Sequence, residues 1–231
     1  MSYEDVRSLT RERLTEVQQL LNHIVSLEPD NATAPHPPEV KILRGFFYVH
    51  LYAALEKSVN EAVQLTLRLI ASLNAPSKHF EITVGTITTR GRLQAFKSCS
   101  FKAYNDNALS IFDCLESSEI TKIDEAQFSD VLMNVWTNSI LEVLKSFGIN
   151  LPITPRTRTT IDELVENRNK VAHGRESALS VGERHRSHVL RDKFTITTNL
   201  IDSVILALEN FYNSKTFIKI SERATYSTPP N

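Results

Sequence analysis

The sequence predicts an all-α protein, a bundle of four to five main helices. Apolar residues recur three or four positions apart through several long stretches, which is the spacing of one helix face. These stretches are rich in Leu, Ala, Glu and Lys, and the chain of 231 residues contains only 6 glycines, most of them at segment ends. Hydrophobic residues make up 41% and charged residues 23% of the chain, as in ordinary globular proteins.

The first two predicted helices lie on either side of the proline-rich segment LEPDNATAPHPPEV. The first begins at Tyr3, and its apolar positions run from Val6 to Ile24. The second extends from about Glu39 to Leu73 without an internal proline. At ~1.5 Å per residue it would be roughly 50 Å long. A helix of that length in a small protein is expected to form a spine for other helices or a dimer surface.

The region 74–127 shows no helical period and is predicted to be irregular or inserted. Its segment ITVGTITTRGR combines β-branched residues with two glycines, which favours a short hairpin or an irregular loop. Helical periodicity returns from Val131 to Phe147, where Trp136 is predicted to belong to the core. Gly148 followed by Ile149 is typical of a helix C-terminus with its hydrophobic contact.

Two further helices follow the connector LPITPRTRTT. Thr160 with Glu163 matches a capping box, so one helix is predicted to begin there and to end before Gly174. After a polar loop, a last helix is predicted from about Val189 to Tyr212. We expect residues 1–213 to form a single helical domain and residues 214–231 to be a flexible tail.

Composition limits the classes of function. The net charge of −1 creates no overall attraction to nucleic acid or anionic lipid, so any electrostatic binding must be local. Cys99 and Cys114 form no disulfide framework, which fits a reducing compartment. No apolar run approaches the ~20 residues of a membrane span, and the N-terminus lacks a signal-peptide stretch. We therefore expect a cytoplasmic protein without membrane contact.

The segment ENRNKVAHGR places an arginine where an apolar side chain is expected. On a helical wheel, Arg168 falls within the apolar stripe that runs from Ile161 to Ala172. A guanidinium in such a stripe needs an acidic partner, or it must line a wet cleft. The simpler interpretation is a helix C-terminus, where cations are favoured and glycine is the usual stop.

His173 lies roughly 140° around the helix from Arg168. One straight helix does not aim both side chains at one point, whereas two copies related by a two-fold axis bring both to one cleft. Asn169 is four residues before His173 and shares its face, so it can orient the imidazole. A second pair, Arg44 and His50, lies inside the long helix and lacks the Asn neighbour, so we give it less weight.

The stretch LVENRNKVAHG, with its R-N-x-x-A-H core, resembles the signature of HEPN domains, the nucleotide-binding and ribonuclease domains of higher eukaryotes and prokaryotes. FFYVHLYAALEKSV resembles the early long helix of a bacterial branch related to RiboL-PSP-HEPN proteins, which carries a Leu-Tyr and then a Glu. SILEVLKSFGIN, ahead of the motif helix, is also similar. The resemblance spans residues 1–213, and its specific part is the motif helix.

This resemblance implies a homodimeric endoribonuclease that needs neither metal nor cofactor. The RNA 2′-hydroxyl would attack the adjacent phosphate and leave a 2′,3′-cyclic phosphate. His173 would act as general acid and base, because the ordinary pKa of histidine lies near neutrality. Arg168 would hold the phosphate, Asn169 would orient the site, and Glu56 is a weaker candidate as the acid that pairs with Arg168. Such proteins serve as toxins or defence effectors, which implies an antitoxin or defence-system partner protein.

Basic residues concentrate beside the motif. Residues 168–193 contain seven Lys and Arg against three Asp and Glu, although the whole chain is slightly acidic. The predicted RNA-binding residues are Lys170, Arg175, Arg184 and Arg186. A solvated basic loop without a ligand is the simpler alternative. His185 and His188 have metal-ligand spacing, but the neighbouring arginines repel a cation, so no metal site is predicted.

Two alternatives remain open at this point. The first is a HEPN module without catalytic activity that binds nucleotide or RNA, or that mediates assembly. The second is a plain helical dimerisation protein in which Arg168 and Glu56 form a buried ion pair. The second alternative predicts a guanidinium sequestered from solvent and no cleft beside His173.

Overall fold

A computed structural model describes residues 1–29 and 35–226. The α-helices are α1 (Tyr3–Leu27), α2 (Pro38–Ser72), α3 (Gly85–Thr88), α4 (Arg90–Ser98), α5 (Tyr104–Leu115), α6 (Thr137–Ser146), α7 (Pro155–Ala172), α8 (Ala178–Glu183) and α9 (Ser187–Ser214). Within the described residues, β-pairing is limited to two isolated bridges, Pro76 with Ile120 and Phe80 with Ile218. The all-α prediction is confirmed.

The chain forms two compact units. The first comprises Met1–Ala62, Ser129–Ile140 and Leu151–Ile205. The second comprises Val63–Phe128, Leu141–Asn150 and Leu206–Asn231. A single domain over residues 1–213 therefore remains a proposal, within which the structure distinguishes these two units. The motif helix α7 belongs to the first unit.

Helix α2 supplies much of the core of the first unit. Its most buried side chains include Phe47, Tyr48, Leu51, Tyr52 and Leu55, each at most 1% exposed. Neighbouring positions such as Phe47 and Tyr48 point about 100° apart on a helix, so α2 is covered on more than one face. This agrees with the expectation of a long central helix.

Helix α8 crosses α2 with direct backbone contact. A Cβ atom on Gly182 would lie 1.8 Å from the carbonyl oxygen of Lys41, and one on Gly45 would lie 2.1 Å from the carbonyl oxygen of Ala178. Only glycine permits so close an approach. The sequence predicted a polar loop in this region, and that prediction is wrong. The helix is six residues long, too short to show a helical period, and the Ser177 side chain caps its N-terminus.

The motif helix α7 begins earlier than predicted. It starts at Pro155 with Thr154 as N-cap, whose Oγ1 accepts the backbone N–H of Thr157 at 3.1 Å. Thr160 lies inside the helix, so the predicted capping box is wrong. Proline is favoured at the first helical position because its missing N–H would be unpaired there anyway. The two prolines of this connector favour a loop when the sequence is considered alone, so the start of α7 is not evident from it.

An ion pair and its neighbouring hydrogen bonds connect α1, α2 and α9 in the first unit. Arg44, only 1% exposed, donates from Nε to Glu28 Oε1 at 3.0 Å. Glu28 is the C-cap residue of α1, and it also accepts the backbone N–H (3.1 Å) and the hydroxyl (2.6 Å) of Ser187 at the start of α9. A carboxylate at a helix N-terminus is further favoured by the helix dipole.

We expect the Glu28→Gln variant to lower the free energy of unfolding at pH 7 by about 2 kcal/mol, because Arg44 loses its charged partner. Burial alone would raise the pKa of Glu28, but the hydrogen bonds from Ser187 and Arg44 outweigh it and lower the pKa. The stabilisation is therefore present above the ordinary carboxyl pKa and is lost as the pH falls through the lowered value.

Urea denaturation between pH 3 and pH 7 measures this effect, with Glu16→Gln as the matched control. Glu16 lies 3.5 Å from His50 and is 69% exposed, so its replacement should change stability little. A wild-type advantage that persists unchanged at the lowest pH would contradict the assignment to the ionised carboxylate.

Much of the region 74–127 is helical, and its last part, 116–127, lies outside the helices. Within the second unit the region carries α3, α4, α5 and three turns of 3₁₀ helix, so the hairpin or irregular loop predicted for ITVGTITTRGR is wrong. The β-branched Thr residues favour strands in isolation, whereas here most of them lie in short helices. Thr89 is accommodated at the end of α3, where its hydroxyl donates to the carbonyl oxygen of Gly85 at 2.6 Å.

The predicted flexible tail is ordered over part of its length. Phe217 and Ile218 are fully buried in the second unit, and Ile220–Tyr226 forms 3₁₀ turns. Phe217 packs against Phe211 with ring centroids 5.0 Å apart, which explains why the chain does not fray after α9. The part of the tail prediction that concerns residues 227–231 lies outside the described residues.

Within the ranges 1–29 and 35–226, no helix combines the length and the apolar character needed to cross a bilayer.

Candidate functional site

Helix α7 ends at the motif in a geometry that glycine makes available. His173 is the C-cap residue, and Gly174 follows with φ = +66°. The backbone N–H of Arg175 donates to the carbonyl oxygen of Lys170 at 2.9 Å, and that of Gly174 donates to Val171 at 3.2 Å, which is a Schellman closure. The chain therefore leaves the helix directly after His173.

The guanidinium of Arg168 lies at the centre of a polar cluster. It donates to Asn169 Oδ1 at 2.7 Å and to Glu56 Oε2 at 3.2 Å, and its Nη1 lies 3.5 Å from Asn134 Oδ1. Its Cζ lies 4.1 Å from the ring centroid of Tyr52, a cation–π contact. The side chain is 20% exposed, so it is held on several sides but reaches solvent. Arg168 thus has both the acidic partner and the open side that its sequence position requires.

Tyr52 fixes one wall of this cluster. Its hydroxyl accepts the backbone N–H of Val135 at 3.1 Å and donates to the carbonyl oxygen of Met133 at 3.3 Å. These bonds hold the connection before α6 against α2, which brings Asn134 to Arg168. Burial raises the pKa of Tyr52 to about 12, so the phenol stays neutral and can fill both hydrogen-bonding roles.

His173 stands apart from the Arg168 cluster in a single chain. Its side chain is exposed, and among the described residues no hydrogen bond joins it to Arg168 or Asn169. The backbone N–H of His173 donates to the carbonyl oxygen of Asn169 at 3.1 Å. The imidazole is therefore open to an incoming ligand or a second protein chain, while Arg168 is already positioned.

The predicted basic surface is partly neutralised by carboxylates. Lys170 lies 2.9 Å from Glu166 and 3.4 Å from Glu176, and the hydrogen bond to Glu166 raises the pKa of Lys170. Arg184 forms an ion pair with the same Glu176. Arg175 is exposed and forms no ion pair within the described part of the chain. Of these three, Arg175 is the most available to a phosphate.

Arg186 lies close to His36. It is half-buried, and its charge contributes to lowering the pKa of His36, an effect in which burial of the imidazole is larger. His36 also contacts Arg44 at 2.8 Å. Arg186 is therefore placed near the Glu28–Arg44 pair.

A polar network packs against the opposite side of α7. Glu163 Oε2 accepts from Lys193 Nζ at 2.6 Å, and Glu163 Oε1 lies 3.6 Å from His185 Nε2. The other ring nitrogen of His185 lies 2.7 Å from the Tyr48 hydroxyl. Burial lowers the pKa of His185 and raises that of Tyr48, so both are neutral at pH 7. These contacts orient α7. They also engage both ring nitrogens of His185, one of the two histidines with metal-ligand spacing.

The second Arg/His pair in the chain is structural. Arg44 is enclosed by Glu28 and His36, as described above, and His50 points to Glu16 at 3.5 Å. Neither contact leaves a guanidinium beside an open imidazole. The surroundings of Arg44 and His50 therefore differ from those of Arg168 and His173.

Tyr52 and Asn134 were missed by the sequence analysis. Tyr52 precedes Glu56 by four residues on α2, so the two side chains share a face and meet Arg168 together. That spacing could have indicated Tyr52 once Glu56 was proposed. Asn134 gave no pattern, because a short connection places it. Trp136, predicted as core, is 37% exposed, since α6 begins only after it.

Comparison with known families gives one result. A family model described as RiboL-PSP-HEPN matches residues 10–213, a range that includes Glu56, Arg168 and His173. Comparisons with curated proteins and with solved structures give no match.

Proposed function

Because the chain belongs to the RiboL-PSP-HEPN family, for which a nuclease or RNA-binding role is indicated, we propose that it is a metal-independent endoribonuclease. The observation that carries the proposal is the position of Arg168. Its guanidinium is fixed by Glu56, Asn169 and the Tyr52 ring, yet remains 20% exposed, at the end of a helix whose last residue precedes an open His173. A rigid cation and an open imidazole on one helix supply two of the groups that phosphate chemistry uses.

The proposed reaction is an internal transesterification of RNA. The 2′-oxygen forms a bond to the adjacent phosphorus, and the bond from phosphorus to the 5′-oxygen of the next nucleotide breaks. His173 accepts the 2′-hydroxyl proton as general base and supplies a proton to the leaving 5′-oxygen as general acid. Arg168 stabilises the charge that builds on the non-bridging phosphate oxygens. The products are a 2′,3′-cyclic phosphate and a 5′-hydroxyl.

Glu56 and Asn169 act through Arg168 in this proposal. Glu56 holds one Nη of the guanidinium at 3.2 Å, and Asn169 holds the other at 2.7 Å. A guanidinium has five N–H donors, so these acceptors leave others available to a phosphate. The two residues thus position the arginine before RNA arrives, so little ordering is needed during reaction.

A homodimer completes the proposed site. Arg168 and His173 diverge by roughly 140° around α7, and they share no hydrogen bond among the described residues. Two α7 helices packed about a two-fold axis would set the His173 of one copy against the Arg168 of the other. The exposed Arg175, one residue beyond the Gly174 stop, would then lie beside the cleft and attract the RNA backbone.

The first test is incubation of the purified chain with single-stranded and structured RNA in EDTA. We expect cleavage, with fragments that end in 2′,3′-cyclic phosphate and 5′-hydroxyl when examined by mass spectrometry. Deoxy substitution at the cleaved nucleotide should abolish the cut at that position, because the nucleophile is missing. Cleavage that requires a divalent cation, or that leaves 5′-phosphate ends, would overturn the proposed chemistry.

A HEPN module without catalytic activity is the second candidate function. The observation that favours it is the Arg168–Glu56 ion pair, because a paired guanidinium can be purely structural. Lys170 and Arg184 are also neutralised by carboxylates. RNA binding without cleavage, unaffected by His173→Ala, would support this candidate. An enzyme should instead show slower cleavage in that variant with binding retained.

The proposed biological setting rests on the resemblance to HEPN proteins. A ribonuclease of this kind would act on cellular RNA in the cytoplasm as a toxin or defence effector. It would then need an antitoxin or another defence-system protein to restrain it. The exposed His173 offers such a partner direct access to the imidazole.

A further inference from the structure

A cavity of about 250 Å³ lies in the second unit, and its lining includes no residue of the proposed nuclease site. One wall is formed where the segment 117–121 runs beside the segment 75–78. Backbone hydrogen bonds hold these segments together, among them the bond from Thr121 N–H to the Ala75 carbonyl oxygen at 3.0 Å. The lining also includes Thr88 of α3 and Arg92 of α4. The cavity is thus bordered by hydrogen-bonded backbone segments and by two helices.

Hydroxyl groups dominate the interior of this cavity. They belong to Ser77, Thr88, Ser117 and Thr121. Ser77 Oγ lies 2.7 Å from Thr121 Oγ1 and 3.9 Å from the thiol sulfur of Cys114. Ser77, Thr88 and Thr121 are at most 9% exposed, so these groups are not part of an open polar surface. A hydroxyl can donate a hydrogen bond to an anionic oxygen, and several of them together favour a ligand with several such oxygens.

Two cations border the same cavity without carboxylate partners. Arg92 and Lys122 both line it, and neither forms an ion pair within the part of the chain that the structure describes. Elsewhere in the second unit, Arg68 does pair with a carboxylate, Glu125 at 2.6 Å. Glu119 also lines the cavity, so one carboxylate opposes two cations and the local balance is positive. An unpaired guanidinium and ammonium beside a hydroxyl-lined cavity indicate an anion site.

We propose that this cavity binds a small molecule through its phosphate group. A phosphate carries several acceptor oxygens, which match the fork of Arg92 and whichever hydroxyl of the Ser77–Thr121 pair does not donate to the other. The volume is below the range of about 300–1,000 Å³ usual for drug-sized ligands, so the ligand is small. The phosphate is free or is the phosphate of a nucleoside monophosphate. Ile120, 58% exposed at the rim, offers apolar contact to a sugar or base.

Calorimetric titration of the full chain with inorganic phosphate, and separately with adenosine 5′-monophosphate, tests this proposal. We expect binding in at least one titration, weakened tenfold or more by Arg92→Ala and by Lys122→Ala. Glu119→Gln should tighten binding, because it removes the opposing charge. Lys97→Ala is the matched control, since Lys97 is an exposed cation of α4 outside the cavity lining and should leave binding unchanged.

The two probes separate the two sources of phosphate. Equal affinity for both identifies the phosphate group alone as the ligand, whereas tenfold tighter binding of the nucleotide identifies a nucleoside monophosphate. Absence of binding in both titrations would overturn the proposal. Equal binding by wild type, Arg92→Ala and Lys122→Ala would do the same, because the ligand would then occupy another place.

The thiol of Cys114 gives a second measurement of occupancy. Cys114 lines the cavity and is 8% exposed, and in a Cys99→Ala variant it is the only cysteine of the chain. Saturating ligand should slow alkylation of Cys114 by iodoacetamide several-fold. An unchanged alkylation rate at a ligand concentration that saturates the calorimetric signal would place the ligand elsewhere.

Discussion

Replacement of either Arg168 or His173 by alanine should lower RNA cleavage by at least about 100-fold. Removal of one preorganised donor to a developing oxyanion costs about 10²–10³ in rate, and loss of a general acid or base costs a similar factor. Arg168→Lys should also be strongly impaired, because lysine keeps the charge but not the planar fork that Glu56 and Asn169 now orient. Initial rates with a fluorescent RNA measure all three variants, and fluorescence anisotropy reports binding separately.

Matched controls distinguish chemistry from stability. His23 is an exposed histidine of α1, and Arg11 is a 65% exposed arginine of the same helix, so their alanine variants should cleave at the wild-type rate. Thermal unfolding should place Arg168→Ala within a few degrees of wild type, because its ion pair with Glu56 is partly exposed. Equal cleavage by wild type, Arg168→Ala and His173→Ala would mean a different site or a contaminating nuclease.

A mixture of the two inactive variants tests the proposed dimer. If each site takes arginine from one copy and histidine from the other, a mixed dimer of Arg168→Ala and His173→Ala retains one intact site. Co-expression with two affinity tags allows that species to be purified, and we expect about half of the wild-type activity. An inactive mixed dimer, with both parents folded, would mean that the two residues of one chain act together.

The sequence predicted the long helices well because their own periodicity defines them. Helix α2 was expected over about 39–73 and spans Pro38–Ser72, and the Gly148 stop was predicted correctly, with φ = +72°. The short helices were missed for a physical reason. A helix such as α8 has too few residues for a period, and it exists because Gly45 and Gly182 let two backbones touch. That contact joins positions more than a hundred residues apart.

The candidate site shows the same division between local and long-range information. The position of Arg168 in an apolar stripe indicated an acidic partner. Glu56 is that partner, with its Oε2 at 3.2 Å from Arg168 Nη2. Asn134 could not be found, because long-range contacts such as the Tyr52 hydroxyl bonds to Met133 and Val135 bring it near. Conversely, Lys170 and Arg184 counted as free cations in the sequence, yet Glu176 meets both after folding. Charge counting along a chain does not detect such pairs.

The largest effect on stability is expected from Gly182→Ala. A Cβ at this position would lie 1.8 Å from the Lys41 carbonyl oxygen and 2.6 Å from the Gly45 backbone nitrogen, both of which are backbone atoms of α2. A flexible side chain could move aside, but a helix backbone cannot move without losing its own hydrogen bonds. We expect a loss of at least about 3 kcal/mol in the free energy of unfolding. For a chain of this size that corresponds to a fall of about 6–12 °C in Tm.

Gly91→Ala is the matched control, and its expected sign is opposite. Gly91 lies in α4, and a Cβ there would meet no atom within 4 Å. Alanine should therefore stabilise the chain by up to about 1 kcal/mol through its higher helix propensity. Gly45→Ala should resemble Gly182→Ala, because its Cβ would lie 2.1 Å from the Ala178 carbonyl oxygen. Calorimetry of the three variants gives the comparison.

The crossing of α2 and α8 also bears on the motif. Residues 173–177 join the end of α7 to α8, so a displaced α8 pulls on the segment that carries His173 and Gly174. The rate of RNA cleavage per folded molecule should therefore be lower for Gly182→Ala than for wild type. Gly182→Ala with an unchanged Tm would mean that α8 does not contact α2 in solution. The end of α7 would then not be held in place by the contact of α8 with α2.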